Sequence, residues 1–266
     1  MRPARSRPAA RRAVLALLAV GTIAGACSDL GTGVGDVSYV VFDGVPYPAL
    51  LAGDTMRDAA GLAAPLRAHA FDADGDSIPG AGFTYFALDT GVAIAEGGLL
   101  RATGRRDGTI RLVASYRGLQ TTDVTVRVTR RPDSVAASGA STVSLALAIP
   151  DNGANAAPEM RIKLLSDDTV GVGAAVPGWI VRWRAVHGTD TIAATDTQLV
   201  ALQSAAGTRG VVDTTGADGT AARRLRVFAE RLTALTDSFV VLADVRLHGT
   251  PVAGSPVRFL VRVAPP

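Results

Sequence analysis

From Val37 to the end of the chain, apolar side chains return at every second position, in short runs broken by Gly, Pro and Asp. Ile110, Leu112, Ala114 and Tyr116 alternate with Arg111 and Ser115, and Val124, Val126 and Val128 with Thr125 and Arg127. Later runs repeat the pattern: Met160, Ile162, Leu164; Trp179, Val181, Trp183; Val241, Ala243, Val245; Val257, Phe259, Val261, Val263. Leu62, Ala64, Leu66, Ala68 and Ala70 read as one more such strand. A period of two with one apolar face specifies half-buried strands. No long helical period appears after the first 26 residues. Many short strands at regular spacing make an all-β sandwich the expected architecture. The one cysteine, Cys27, lies ahead of these strands, so packing alone must hold them, without a disulfide.

The first 26 residues follow different rules. Arg2, Arg5, Arg7, Arg11 and Arg12 stand in a stretch without acids, followed by the apolar run AVLALLAVGTIA from Ala13 to Ala24. A basic start, a short apolar run and small residues before a cut specify a secretory signal peptide. The uncharged stretch from Ala13 to Cys27 is 15 residues long, short of the ~20 a spanning helix needs. Ile23-Ala24-Gly25-Ala26-Cys27 resembles a bacterial lipobox, with Ala24 where its commonest form has Leu. The resemblance implies cleavage before Cys27 and lipidation of its thiol. An ordinary Ala-x-Ala cut also fits Ala24-Gly25-Ala26, but it would leave a free thiol at the N-terminus of an exported protein. Residues 27–36 are then a Gly-rich tether. Ser28 hints at sorting to the outer membrane, so an exported protein anchored to the membrane through lipidated Cys27 is expected. Arg11-Arg12 faintly resembles a twin-arginine signal.

Net charge must be read after that cut. The whole chain has 27 basic and 24 acidic residues; five basic and no acidic ones lie in the leader, leaving 22 against 24, a net of −2. The basic balance that would suggest nucleic-acid binding therefore disappears, and no nucleic-acid partner is expected. The 240 residues from Cys27 onward suit two ordinary domains.

Phe83-Thr84-Tyr85, Val92-Ala93-Ile94-Ala95 and Gly98-Leu99-Leu100-Arg101-Ala102 together resemble the bacterial immunoglobulin-like group 2 domain, with Tyr85 where that family has Trp. Ala52-Gly53-Asp54 and the Asp72–Gly80 hairpin fit the same pattern. The first domain is thus residues 37–130. Arg130-Arg131-Pro132-Asp133 marks the boundary, because Pro cannot donate to a sheet ladder. In residues 131–266, Gly178-Trp179-Ile180-Val181-Arg182-Trp183 and the turn Thr215–Ala221 resemble group 1 domains, the invasin and intimin type. Residues 151–158 (DNGANAAP) read as an extra polar loop. These resemblances imply two tandem immunoglobulin-like β-sandwiches common in adhesins and envelope proteins, without enzymatic activity.

Residues that could carry chemistry are few. His69, His187 and His248 are scattered, without metal-ligand spacing, and read as solvated surface residues. No nucleophile elbow or P-loop is present, so no catalytic residue is assigned. No cofactor is expected either, save weak calcium binding by Asp72, Asp74 and Asp76. Those three fit the first acidic positions of an EF-hand loop, but Gly75 comes one place early and Phe83 takes the place of the last Glu. The ordinary reading is an acidic hairpin turn whose Asp and Gly satisfy turn geometry. Trp179 and Trp183 read as core residues of a sandwich's strand C.

One surface stands out. With strand C at Trp179–Val186, F at Ser238–His248 and G at Pro256–Val263, alternation places Arg182, Arg184, Arg246, Arg258 and Arg262 on one outer sheet face. Asp244 is its only acid, and Ile180, Val240, Leu242 and Leu260 lie among the arginines. Arginine stems can cover such apolar side chains while their heads stay in water. The face is also the candidate for binding an anionic envelope glycan or another envelope protein. A non-catalytic binding or adhesion module, or a spacer, is the expected function; a structural accessory subunit of an envelope complex is the alternative.

Overall fold

The computed structural model describes residues 36–104, 107–151, 153–167, 173–192, 199–234 and 236–265. The expected leader, Cys27 and all but the last residue of the tether lie outside these. Twenty-two strands make up the described chain, with one 3-10 turn at Ala229–Arg231 and no helix long and apolar enough to cross a membrane.

The first sandwich holds β1 (Tyr39–Phe42), β2 (Ala49–Leu51), β3 (Ala68–Phe71), β4 (Thr84–Ala87), β5 (Val92–Ala95), β6 (Leu99–Ala102), β7 (Gly108–Tyr116), β8 (Leu119–Gln120) and β9 (Val124–Thr129). One side is a sheet in the order β2-β9-β7-β4, with β2 parallel to β9. Ribbons β1-β3 and β5-β6 form the other side, joined by the Leu66 N–H donating to the Gly98 carbonyl at 2.9 Å. Ile110, Leu112, Ala114, Val126 and Val128 point inward and are all but fully buried, as the alternation requires.

The second sandwich holds β10 (Ser134–Ala137), β11 (Thr142–Ala146), β12 (Met160–Ser166), β13 (Ala174–Ala175), β14 (Ile180–His187), β15 (Asp190–Ile192), β16 (Val200–Gln203), β17 (Val212–Thr214), β18 (Thr220–Val227), β19 (Asp237–Asp244), β20 (Arg246–Leu247), β21 (Thr250–Pro251) and β22 (Val257–Ala264). Its sheets run β10-β12-β18-β16 and β11-β22-β19-β14-β15. In immunoglobulin letters these are A-B-E-D and A′-G-F-C-C′, so strand order alone makes the fold immunoglobulin-like. Between the sheets Met160, Ile162 and Leu164 face Val181, Val241, Phe259 and Val261, each fully buried. Trp183 stacks on Phe259, ring centres 6.2 Å apart.

Two strand assignments are corrected, and the 151–158 loop is pinned. Leu62 is not in a strand and is 67 % exposed; β3 begins only at Ala68. The Asp58 carboxylate accepts the N–H groups of Ala60 and Leu62, both at 2.9 Å, which turns the chain, and Pro65 offers no donor to a ladder. The described residues of 151–158 lie outside the strands, as expected of a loop, and are held in place by side-chain hydrogen bonds. Asn155 is 1 % exposed, and its amide closes on Ala148 in both directions, at 2.7 and 3.0 Å. Asp151 accepts from Arg226 at 2.7 Å, which holds its carboxyl below the ordinary value. Strand F ends at Asp244, not His248. The Val245 N–H leaves the ladder for the Ser255 hydroxyl at 2.8 Å, and β20 and β21 form a separate ribbon.

Trp183 is 2 % exposed, yet its indole N–H has no acceptor. A buried orphan donor costs about 1–3 kcal/mol, so truncation removes a penalty together with the packing. Trp183→Ala should destabilise the second sandwich by about 3 kcal/mol, the lower end of the range for emptying a large aromatic site. Trp183→Phe should cost less than ~1.5 kcal/mol. Equal losses in denaturant titrations of the two variants would contradict this.

Candidate binding face and interdomain joint

The joint begins with Pro46-Tyr47-Pro48. Each proline fixes its own φ and keeps the residue before it extended, so the Tyr47 ring projects from the first sandwich. It packs on Trp179 with ring centres 5.0 Å apart, and its hydroxyl accepts the Ile180 N–H at 3.1 Å. Burial pushes the Tyr47 hydroxyl up to about 12, so it stays protonated at physiological pH. The Trp179 indole N–H donates to the Arg246 carbonyl at 3.0 Å. Trp179 was expected as a plain core residue; at 4 % exposed it is buried, but against the neighbouring sandwich.

A second contact flanks the first. The β20-β21 turn is His248-Gly249, both with positive φ (49° and 81°), as a two-residue hairpin turn of this hand requires. This turn presses on the 58–62 loop of the first sandwich. A Cβ on Gly61 would lie 2.5 Å from the His248 carbonyl carbon, so only glycine fits. The His248 Nε2 lies 3.1 Å from Asp54 Oδ2, and Arg57 Nε lies 3.3 Å from the same oxygen. Partial burial works against the Asp54 charge. The Thr55 N–H, Arg57 and His248 outweigh it and hold the carboxyl below its ordinary value of 3.8.

Of this joint the sequence singled out Trp179 as core, His248, Ile180 and Arg246 as surface and Asp54 as a turn residue, but none of them as an interdomain contact. The other two histidines also meet aspartates. His187 Nε2 lies 2.9 Å from Asp237 and its ring stacks on Phe239, while His69 lies 2.9 Å from Asp43. Among the described residues no hydroxyl or thiol hydrogen-bonds to any of the three imidazoles.

In the acidic turn, the Asp72 Oδ1 accepts the N–H groups of Asp74 and Asp76 at 3.0 and 2.9 Å. That carboxylate shapes the turn. Among the described residues no three His, Cys, Asp or Glu side chains are grouped to hold a metal ion.

The arginine face lies on the A′-G-F-C sheet. Register places Arg184, Leu242 and Arg258 in one row across β14, β19 and β22. Val186, Val240 and Leu260 form the next row, and Arg262 stands beside Ser238 and Ser144. Arg182 is opposite Asp244. All four arginines are exposed, while Val240, Leu242 and Leu260 are half-buried. Arg246 lies past the break at Val245 and donates to Asp244 at 2.8 Å and to the Gly249 carbonyl at 3.2 Å. The Ser255 hydroxyl donates to the other Asp244 oxygen at 3.2 Å. Among the described residues Asp244 is the one acid of the face; it bonds to Arg246 and Ser255, and Arg182, although opposite it, forms no ion pair with it.

No protein-family model matches the chain, and no curated protein matches it. Among solved structures the chain is similar to the Yersinia pseudotuberculosis adhesin InvE, at 16 % identity and a TM-score of 0.33, over 87 % of this chain and 61 % of that one. It thus spans about three-fifths of that structure. Domains 4 and 5 of the S-layer protein SbsC give 16 % identity and a TM-score of 0.30, over 86 % of this chain and 99 % of that one. The Escherichia coli adhesin FdeC gives 15 % and 0.30, over 84 % and 63 %. The immunoglobulin-like assignment rests on strand order, not on these similarities.

Because the folded state favours ionised Asp54, its contribution is fully present above the ordinary carboxylate value and is lost as pH falls through the lower folded one. Asp54→Asn should lower the melting temperature at pH 7 by about 1–3 °C, the scale of a partly exposed ion pair. That difference should vanish on acidification below the carboxylate range. A difference that persists unchanged in acid would show that Asp54 acts through packing and not charge.

Proposed function

We propose that this chain is an exported, non-catalytic envelope protein, lipid-anchored at Cys27 to the outer membrane, that acts as a binding module built as a rigid pair of sandwiches on a Gly-rich tether. The interdomain joint carries this reading. Tyr47, Trp179, His248 and Gly61 lock two sandwiches that a flexible linker would leave independent. A rigid pair of sandwiches suits presentation of a surface beyond the membrane, which a jointed chain would do poorly. The leader and Cys27 support export and anchoring. The His–Asp pairs act as links between strands and between domains, and among the described residues none has the neighbouring nucleophile that acyl-transfer chemistry needs.

A second reading, an accessory subunit of an envelope complex, is favoured by one observation. Arginines and aliphatic side chains are interleaved on the outer sheet face, a mixture suited to docking protein.

Cys27 tests the anchor. A single acyl chain binds membranes only marginally, but two or three hold firmly, at ~0.8 kcal/mol per buried CH₂. Cys27→Ser should move the protein from the membrane fraction to the soluble fraction of the cell. Wild-type protein that is already soluble, with an unmodified Cys27 thiol by mass spectrometry, would overturn the reading.

A further inference from the structure

Nine arginines of the described chain stand in ion-pair range of an aspartate or glutamate. Ten do not: six are spread over both sandwiches, while Arg182, Arg184, Arg258 and Arg262 all project from one sheet face. The chain after Cys27 has more acids than bases, yet the described residues of this face include a single carboxylate. Its one acid, Asp244, is bound by Arg246 and Ser255.

Spacing sharpens the point. Adjacent strands lie ~4.8 Å apart, so Arg184 and Arg258, with Leu242 between them, stand about 10 Å apart at the backbone. Arg182 and Arg184 are two residues apart on β14, about 7 Å. Like charges at these separations repel, weakly in water and more strongly once a partner excludes water. A face built this way binds best to a surface that brings carboxylates to the arginines and apolar groups to Val240, Leu242 and Leu260.

We propose that this face docks an acidic protein surface in which carboxylates surround an apolar strip. The inference rests on the reading of the chain as an exported binding module and names the chemistry of its partner. Guanidinium forks match carboxylates two bonds at a time. Interfaces between proteins combine arginine with apolar area. A ring platform for sugar is missing from the described residues of the face: Trp183 is 2 % exposed, buried behind it, and Trp179 is 4 % exposed, buried against the first sandwich. Four strand widths by eight residues give roughly 500 Å², below the ~800 Å² per partner of a standard interface. The contact is therefore weak, in the micromolar range, and sensitive to salt.

Full-length mature protein in detergent tests this, with a peptide alternating glutamate and leucine as one probe and a polyuronate of matched carboxylate content as the other. The peptide should bind with micromolar affinity and weaken on raising salt through the physiological range, where screening acts beyond ~8 Å. The polyuronate should bind at least tenfold more weakly. Reversing Arg184, Arg258 and Arg262 to Glu should weaken the peptide about thirtyfold or more, the sum of several exposed ion pairs lost and inverted. The Gln variants at the same positions should show a smaller loss in the same direction without a change in melting temperature, which separates lost binding from lost folding. Arg101→Glu, on the exposed surface of the first sandwich, should bind as wild type. Equal or tighter binding of the polyuronate would overturn the proposal in favour of a glycan. Undiminished peptide binding by the reversed or Gln variants, or no binding of either probe, would overturn it outright. Protein that fractionates with membranes but binds neither probe leaves the anchored-module reading intact. Peptide binding by a protein that never leaves the cytoplasm would do the opposite.

Discussion

The pleat of strand β14 is the constraint on which the rest of the structure depends. Val181, Trp183 and Ala185 point into the core, while Arg182 and Arg184 point out. A slip of one residue against β19 would bury two guanidiniums and expose the indole that fills the sandwich. Unpaired buried charges are far costlier than any neighbouring contact can offset, so the register is fixed by the core. The outer face follows from it. Once β14 is held, its ladder to β19 and the next ladder from β19 to β22 place Arg258 and Arg262 on the same face without further specification.

The same strand begins at the joint. Trp179 and Ile180, just before and at its start, receive the ring and hydroxyl of Tyr47. Inner core, outer face and interdomain contact thus share one ladder, and the first sandwich is referenced to the strand that displays the arginines. Buried residues of both sandwiches join in one hydrophobic cluster. The chain achieves this without a disulfide inside either sandwich, through dispersion and burial of closely packed groups. The glycine at 61 is part of that closeness, since the backbone of the 246–251 hairpin comes within reach of any side chain placed there.

Much of the fold was legible because period-two burial is a local property. Met160 to Leu164 and Val257 to Val263 sit inward as their spacing requires, and the aromatic strand with Trp183 falls where an immunoglobulin sandwich needs it. What the pattern missed was decided by side chains that capture backbone groups. Leu62 to Ala70 alternates like a strand, but Asp58 and Pro65 break it. DNGANAAP looks polar and loose, but Asn155 satisfies both backbone groups of Ala148 and can therefore be buried. Strand F seemed to run on to His248 because Val245 and Leu247 keep the alternation; the Ser255 hydroxyl that ends it is distant in sequence. The joint was least legible. Pro46-Tyr47-Pro48 reads locally as a connector, and nothing within it announces a ring that docks on Trp179, more than a hundred residues away. Two signals were present: an aromatic residue between prolines, and a histidine before glycine in a hairpin turn.

The central claim is that Tyr47 and the His248-Gly249 turn fix one sandwich on the other. It is tested most directly by a distance distribution between spin labels on exposed positions, one in each sandwich: Thr122→Cys and Ser144→Cys in a Cys27→Ser background. A locked joint predicts one narrow distribution, which broadens when Tyr47 is replaced by Ala while both sandwiches stay folded. A broad distribution in the protein with Tyr47 intact, or one that Tyr47→Ala leaves unchanged, would contradict it.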